Sequence, residues 1–258
     1  MVSPVGRVAL EFSLPCNLIK NGDDCKRVVL APVQNRHFRL KAKGLDKRIV
    51  KLPAHEVVYR RMREMILYGE LAPGQAVTIQ GLVKRLDVGM TPVREAIRRL
   101  TAEGALEFQG NRRVSVPELT PQLLEELGFA RLAIEPRLSE LAAERMPESL
   151  IYALETMDNS LNASIDQGDV GGYLSSNYQF HMALYEASEA EILISIVRGL
   201  WMRMGPSLRV VCGRFGTANL PDKHEEALEA LRRRDPEAVA EAIRADIEQG
   251  IDQVGRSL

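Results

Sequence analysis

Cysteine is scarce in this chain: three residues in 258, Cys16, Cys25 and Cys212, set far apart. Three scattered thiols can build neither a disulfide framework nor a zinc finger, so free thiols are expected. Long apolar runs are also missing. No stretch approaches the ~20 apolar residues that a membrane span requires. The first thirty residues alternate apolar and charged positions and lack the continuous apolar segment of a signal peptide. A cytoplasmic protein without membrane contact is the expectation.

Net charge is also nearly absent, at −1, but this small sum hides a segregation. Residues 1–50 hold ten Lys/Arg against four Asp/Glu, residues 51–117 hold eleven against seven, and residues 118–258 hold thirteen against twenty-four. Basic charge favours DNA by releasing its condensed counterions, whereas an acidic body is repelled from the phosphates and keeps the molecule oriented. Residues 1–50, with clusters such as Arg36-His37-Phe38-Arg39, show no sustained periodicity. They read as a basic, poorly ordered extension; the alternatives are an arm on the DNA backbone or a stretch upstream of the true start.

What the chain does have begins with Thr91-Pro92-Val93-Arg94-Glu95-Ala96-Ile97. Val93, Ile97 and Leu100 recur at i, i+4 and i+7, one buried stripe, while Thr91, Arg94 and Arg98 lie on the opposite side. Thr91 is expected to cap this helix, with Pro92 at its first position. Upstream, Ile79, Leu82, Val83 and Leu86 mark a short amphipathic helix, followed by a turn at Asp87-Val88-Gly89-Met90. Two short helices joined by such a turn form a helix-turn-helix. A preceding helix carries Val58, Met62, Met65 and Ile66 and ends at Gly69. Residues 105–116 read as strand, tight turn and strand, so residues 51–117 are expected to form a winged helix-turn-helix with a small β-wing. Its candidate DNA contacts are Gln80, Met90, Thr91, Arg94 and Arg98, with Arg112 and Arg113 on the wing.

Three motifs, Gly69-Glu70-Leu71-Ala72-Pro73-Gly74, Thr91-Pro92-Val93-Arg94-Glu95-Ala96 and Leu100-Thr101-Ala102-Glu103-Gly104, occur in the order and spacing of one family. This region resembles the DNA-binding domain of the GntR family of bacterial transcription regulators. The resemblance implies a DNA operator as partner. It also marks a departure, because the family commonly carries a guanine-reading Arg just before the Thr-Pro, where this chain has Met90. A thioether cannot make the bidentate guanine contact of an Arg, so readout at that step is expected to be weaker or apolar.

Residues 118–258 read as a separate all-α domain. Thr120-Pro121 starts a helix in which Leu123, Leu127, Ala130, Ile134, Leu138 and Leu141 advance by threes and fours. Helical patterns follow at about 148–166, 170–187, 190–212, 221–233 and 236–254, divided by glycines and prolines. The expected fold is therefore mainly α: an N-terminal winged helix-turn-helix followed by an all-α bundle of six to seven helices. The apolar residues Leu193, Ile194, Ile196, Val197, Leu200 and Trp201 serve either the core or an interface.

Polar side chains break the inner stripes of that bundle. Asn177 and His181 share a face with Leu174 and Leu184; His224 lies with Ala227, Leu228 and Leu231; Asp246 lies with Val239, Ile243 and Gly250. Burying such groups unpaired costs several kcal/mol, so they must satisfy one another or bind something. Two imidazoles and a carboxylate from helices aimed at one interior can hold a divalent metal; an internal hydrogen-bonded network is the alternative.

Asn177-x-x-Phe180-His181, the later His224-Glu225 and a final helix after Arg234-Asp235 resemble the FCD ligand-binding domain of the FadR branch of that family. The resemblance implies a metal held by Asp and His one turn apart plus two further His. Here His181 and His224 match, whereas Asn177 stands in place of the Asp and Asp246 in place of the last His. The formal charge of the set is unchanged by this permutation, and the set does not separate zinc, nickel and manganese. A small organic acid is the implied effector, with Arg131, at the position of an Arg frequent in the family, and Arg209 as candidate contacts. A homodimer on a palindromic operator, acting as a repressor, completes the expectation. The rival readings are a metal-dependent enzyme using the His181/His224/Asp246 cluster, and a DNA-architectural protein without effector.

Overall fold

The computed structural model describes residues 52–110, 113–215 and 222–258. The basic extension over 1–50, Cys16, Cys25 and the wing residue Arg112 lie outside the described residues. The elements are, in order, α1 (Ala54–Leu67), β1 (Ala76–Val77), α2 (Ile79–Leu86), α3 (Met90–Ala102), β2 (Glu107–Gln109), β3 (Arg113–Ser115), α4 (Pro121–Ala143), α5 (Glu148–Asp166), α6 (Val170–Glu186), α7 (Glu191–Phe215), α8 (Lys223–Arg232) and α9 (Pro236–Gly255). The protein is thus mainly α, with one small antiparallel sheet of order β1-β3-β2.

The helix-turn-helix follows from local chemistry. Thr78 caps α2 by accepting a hydrogen bond from the Gly81 N–H at 3.1 Å, and Asp87 ends the helix in the left-handed region at φ 53°. α3 buries Val93, Ala96, Ile97 and Leu100 and exposes Thr91, Arg94 and Arg98, as the periodicity requires. Its start differs from the expectation. The helix begins at Met90 with Gly89 as N-cap and no side-chain capping bond, so Thr91 lies inside the first turn and faces solvent. Gly89 in extended conformation admits the earlier start, and the missing Pro92 N–H is harmless where first-turn donors have no intrahelical partner. Strand β1, two residues long, is too short for alternation to show in sequence. It completes the wing by pairing Val77 with Val114.

In the bundle α4 packs on α9, α5 on α6 and α8 on both α5 and α9. Thr120 caps α4 by accepting from the Leu123 N–H at 3.2 Å. The buried stripe of α4 is not the expected one. Leu123 is 42% exposed, and the inner line runs through Leu124, Leu127, Arg131, Glu135, Leu138 and Ala142. A stripe sought among apolar residues alone drifts when two of its positions are charged. On α7, Ile194, Val197 and Trp201 belong to the core, while Ile192 and Ile196 face solvent.

The winged domain and the bundle are joined through α1 and α7. Their buried apolar side chains form one contiguous cluster from Val58 to Ile247. Gly205 on α7 lies so close to the end of α1 that a Cβ there would overlap the Leu67 carbonyl oxygen. Glycine is required at this crossing because no side chain can give way to backbone. Gly205→Ala is expected to destabilise the protein by about 1–3 kcal/mol, the cost of overpacking a well-filled contact. A melting temperature equal to that of the unaltered protein would show that α7 is free to draw back from α1.

Candidate metal centre and nucleic-acid interface

The recognition face is set apart by which cations it leaves free. Arg61 and Arg85 both hold Glu70, at 2.9 and 2.6 Å, and Arg99 bridges Glu56 and Glu103 while lying 3.5 Å over the Tyr59 ring. These arginines tie α1, α2 and α3 together. Among the described residues Arg94 and Arg98 have no such partner, and they stand exposed on one face of α3 with Thr91. Met90 opens the helix with its side chain 55% exposed. Gln80 on α2 and Arg113 at the start of β3 are exposed as well.

The second cluster is interior. His181 on α6 and His224 on α8 point their Nε2 atoms at each other, 3.2 Å apart. Asp246 on α9 lies 3.2 Å from His181 Nε2 through one carboxylate oxygen and 3.9 Å from His224 Nε2 through the other. His181 is fully buried and His224 nearly so; Asp246 keeps 22% of its side chain open, the one exposed edge of the group. Asn177 is buried one turn before His181 on the same helix.

The back of each imidazole is fixed. His224 Nδ1 is 3.1 Å from the buried Asp158 on α5, a carboxylate that can only accept, so this nitrogen carries the proton. His181 Nδ1 is 3.0 Å from the Tyr185 hydroxyl, which donates to Glu135 Oε2 at 2.7 Å and therefore accepts from the ring. Both Nε2 atoms are then left with lone pairs, facing each other in a buried space. Two such lone pairs require a cation between them, either a proton or a metal ion. The same carboxylate-to-imidazole buttressing fixes the tautomer of metal-ligating histidines.

The donor set fits a divalent metal. Two neutral imidazoles and a carboxylate converge from three helices, with all donor atoms within 4.8 Å of one another. An Nε2 separation of 3.2 Å suits two nitrogens sharing one ion at bonds of about 2.0–2.1 Å. Charge supports this reading. In the metal-free site, where His181 Nε2 carries a proton toward Asp246, burial would raise Asp246, but that hydrogen bond and the nearby cationic groups hold it at about 2, so it is ionised. Burial depresses His181 below its ordinary range, against Asp246. For His224 burial acts downward too, yet the Asp158 hydrogen bond and the charges of Asp246, Asp158 and Asp222 outweigh it and raise the group.

Of the two arginines expected at an effector, Arg131 lies near enough to the cluster for its charge to act on Asp246, but it is paired, and Arg209 stands apart from it. Arg131 is buried and clasps Glu135 in a two-pronged pair, Nε to Oε1 at 2.6 Å and Nη2 to Oε2 at 3.1 Å, with its guanidinium 4.6 Å over the Trp201 ring. Arg209 lies at the junction of α1 and α7, its stem against Gly69 and its guanidinium beside Gly171. The sequence reading missed Glu135, Asp158 and Tyr185. Each had a periodic signal: Glu135 follows Arg131 by four, Tyr185 follows His181 by four, and Asp158 continues the stripe of Leu154 and Leu161.

This arrangement, an exposed reading helix joined to a helical bundle with an inward His-His-Asp group, has known relatives. Residues 54–116 match "Bacterial regulatory proteins, gntR family", and residues 126–249 match "FCD domain". The chain belongs to the GntR family. The HTH-type transcriptional regulator McbR of Escherichia coli is 28% identical over 193 residues, 74% of this chain and 87% of that protein. The HTH-type transcriptional repressor RspR of the same organism is 24% identical over 201 residues, 76% of this chain and 87% of its own. The solved structure of E. coli McbR/YncC superposes with a TM-score of 0.75 at 26% identity, covering 80% of this chain and 99% of that one. The chain is thus a transcriptional regulator of the GntR family with an FCD domain. The enzyme alternative falls, since its relatives are named regulators. No helix among the described residues is long and apolar enough to cross a membrane.

The pH response of the metal-free protein follows from the two histidines. A raised pKa makes the His224 proton a stabilising one, fully felt below the ordinary histidine value of about 6.5 and lost as pH rises through the folded value. The depressed His181 acts oppositely, favouring the fold above about 6.5 and losing that advantage as pH falls through its folded value. Metal-free protein is expected to melt highest near pH 6.5 and lower on both sides, with His224→Gln abolishing the alkaline decline. A decline of equal size in that variant would remove His224 from the account.

Proposed function

We propose that this regulator binds a palindromic DNA operator as a homodimer and represses transcription until a small organic acid binds the bundle with the help of a divalent metal. The observation that carries the reading is the pair of facing imidazoles, each locked from behind with its lone pair inward beside an ionised carboxylate. His181, His224 and Asp246 would hold the ion, with Asn177 as an amide-oxygen donor. Three or four protein ligands leave coordination positions that a carboxylate can fill, and the metal supplies Lewis-acid binding of that group. Arg131, committed to Glu135, acts by its positive field rather than as a free clasp. Arg209 at the junction is the cation placed to feel a movement between the domains.

Thr91, Arg94 and Arg98 read base edges and phosphates, Gln80 supports them from α2, and Arg112 and Arg113 carry the wing to the backbone. Dimerisation follows from the short reach of a single winged helix, which contacts only a few base pairs. Repression rests on the printed name of RspR. We assign 51–117 to DNA and 118–258 to effector and dimer contacts, the division expected from the sequence.

Two measurements check these assignments. Arg94→Ala is expected to weaken specific operator binding by about 1–3 kcal/mol with the melting temperature unchanged, and Met90→Arg to strengthen the preference for guanine at one step of each half-site. Operators selected from random duplexes decide this: identical motifs and affinities for all three proteins would remove both residues from the reading face. Elemental analysis tests the bundle. His181→Ala and His224→Ala are each expected to lose stoichiometric metal, and full loading of both variants would contradict the site.

A further inference from the structure

The buried carboxylate of Glu135 does more than steady one histidine. Its Oε2 atom accepts from the Tyr185 hydroxyl at 2.7 Å, from Arg131 Nη2 at 3.1 Å and from the indole N–H of Trp201 at 3.2 Å. Trp201 lies on α7, with its ring 5.0 Å from that of His181. The indole meets Tyr178 edge-on at 5.6 Å, and Tyr178 meets Tyr68 edge-on at 6.3 Å. Tyr68 is the residue that ends α1, and α1 is the helix against which the recognition helix α3 packs. One turn beyond Trp201, Gly205 sits where any Cβ would overlap the Leu67 carbonyl beside Tyr68. The core ligand His181 and the foot of the DNA-binding domain are thus linked by four aromatic rings and one carboxylate.

We propose that this line, His181 to Tyr185 and Glu135, then Trp201, Tyr178 and Tyr68, transmits occupancy of the bundle site to the DNA-binding domain. The proposal rests on the metal reading above and adds to it the route of the signal. Its two-state element is the single proton of the Tyr185 hydroxyl. With a cation held by both Nε2 atoms, His181 must keep its ring proton on Nδ1 and give it to Tyr185, which therefore points its own proton at Glu135. With no cation there, His181 can instead keep its proton on Nε2 toward Asp246 and accept from Tyr185 through Nδ1. Glu135 Oε2 then loses one of its three donors, and its hold on Trp201 is rebalanced. A carboxylate that loses one of three donors leans harder on the two that remain, Arg131 and Trp201, and a close-packed interior answers by repacking. The aromatic contacts carry that repacking across the crossing at Gly205, where no slack exists. Coupling of this kind demands an element with two arrangements that both sites bias, and the hydroxyl provides one.

Trp201 is the only tryptophan of the chain, so the protein reports on its own relay. The experiment adds zinc to metal-stripped full-length protein and follows Trp201 emission together with affinity for an operator selected from random duplexes. Zinc is expected to move the emission at one equivalent and to change operator affinity at least fivefold. In Tyr178→Leu the zinc stoichiometry and the emission change should persist while the affinity change falls below twofold; Tyr178→Phe, which keeps the ring edge, should respond as the unaltered protein does. A full affinity response in Tyr178→Leu overturns the relay, and so does zinc loading that leaves Trp201 emission or wild-type operator affinity unmoved. The emission test needs no variant and stands if Tyr178→Leu fails to fold. Failure of the unaltered protein to bind zinc, nickel or manganese is a different result, and it overturns the metal reading itself.

Discussion

Two imidazole nitrogens, each with its lone pair turned inward and only 3.2 Å from the other, are the constraint around which the bundle is organised. Such a contact is repulsive unless a metal ion, or a proton carried by one of the two nitrogens, lies between the atoms. The surrounding residues are arranged so that the repulsion cannot be relieved by turning a ring over. Asp158 holds His224 from α5, the Tyr185 hydroxyl holds His181 from one turn along α6, and stacking of Phe180 on His224 at 4.1 Å fixes the plane. Four helices must keep their places for this to stand, and the apolar contacts of α4 with α9 and of α5 with α6 supply that stiffness.

Burying this much polarity demands that every member have a partner. Arg131, Glu135, Tyr185, Trp201 and His181 satisfy one another in sequence, so the charge of Arg131 is matched by Glu135 and the spare oxygen capacity of Glu135 is used by two neutral donors. Complete satisfaction makes such a network rigid and specific, whereas partial satisfaction makes it unstable. The DNA-reading face follows the opposite rule. Arg61, Arg85 and Arg99 are spent on holding the three helices together, and Arg94 and Arg98 are left open to solvent, where phosphates and base edges can reach them.

Much of this was legible in the residues. The alternation of Val93, Ile97 and Leu100 with Arg94 and Arg98 reports both faces of α3, and the inward positions of His181, His224 and Asp246 follow from their spacing among leucines. Helix starts were harder: Gly89 displaced Thr91 as the cap because capping depends on backbone angles that side-chain chemistry only biases. Glu135, Asp158 and Tyr185 escaped notice for a different reason. A carboxylate on an apolar stripe looks like an interruption until its partner is known, and those partners lie 50 to 66 residues away in sequence. The crossing at Gly205 has no signal at all in sequence, since a helical glycine does not say what approaches it.

The central claim is that a divalent ion occupies the space between the two imidazoles. Anomalous diffraction from crystals of the zinc-loaded protein, collected at the zinc edge, tests it most directly. The account predicts one strong peak within bonding distance of His181 Nε2, His224 Nε2 and an Asp246 carboxylate oxygen. A zinc peak elsewhere on the protein, with none between those three side chains, would contradict it.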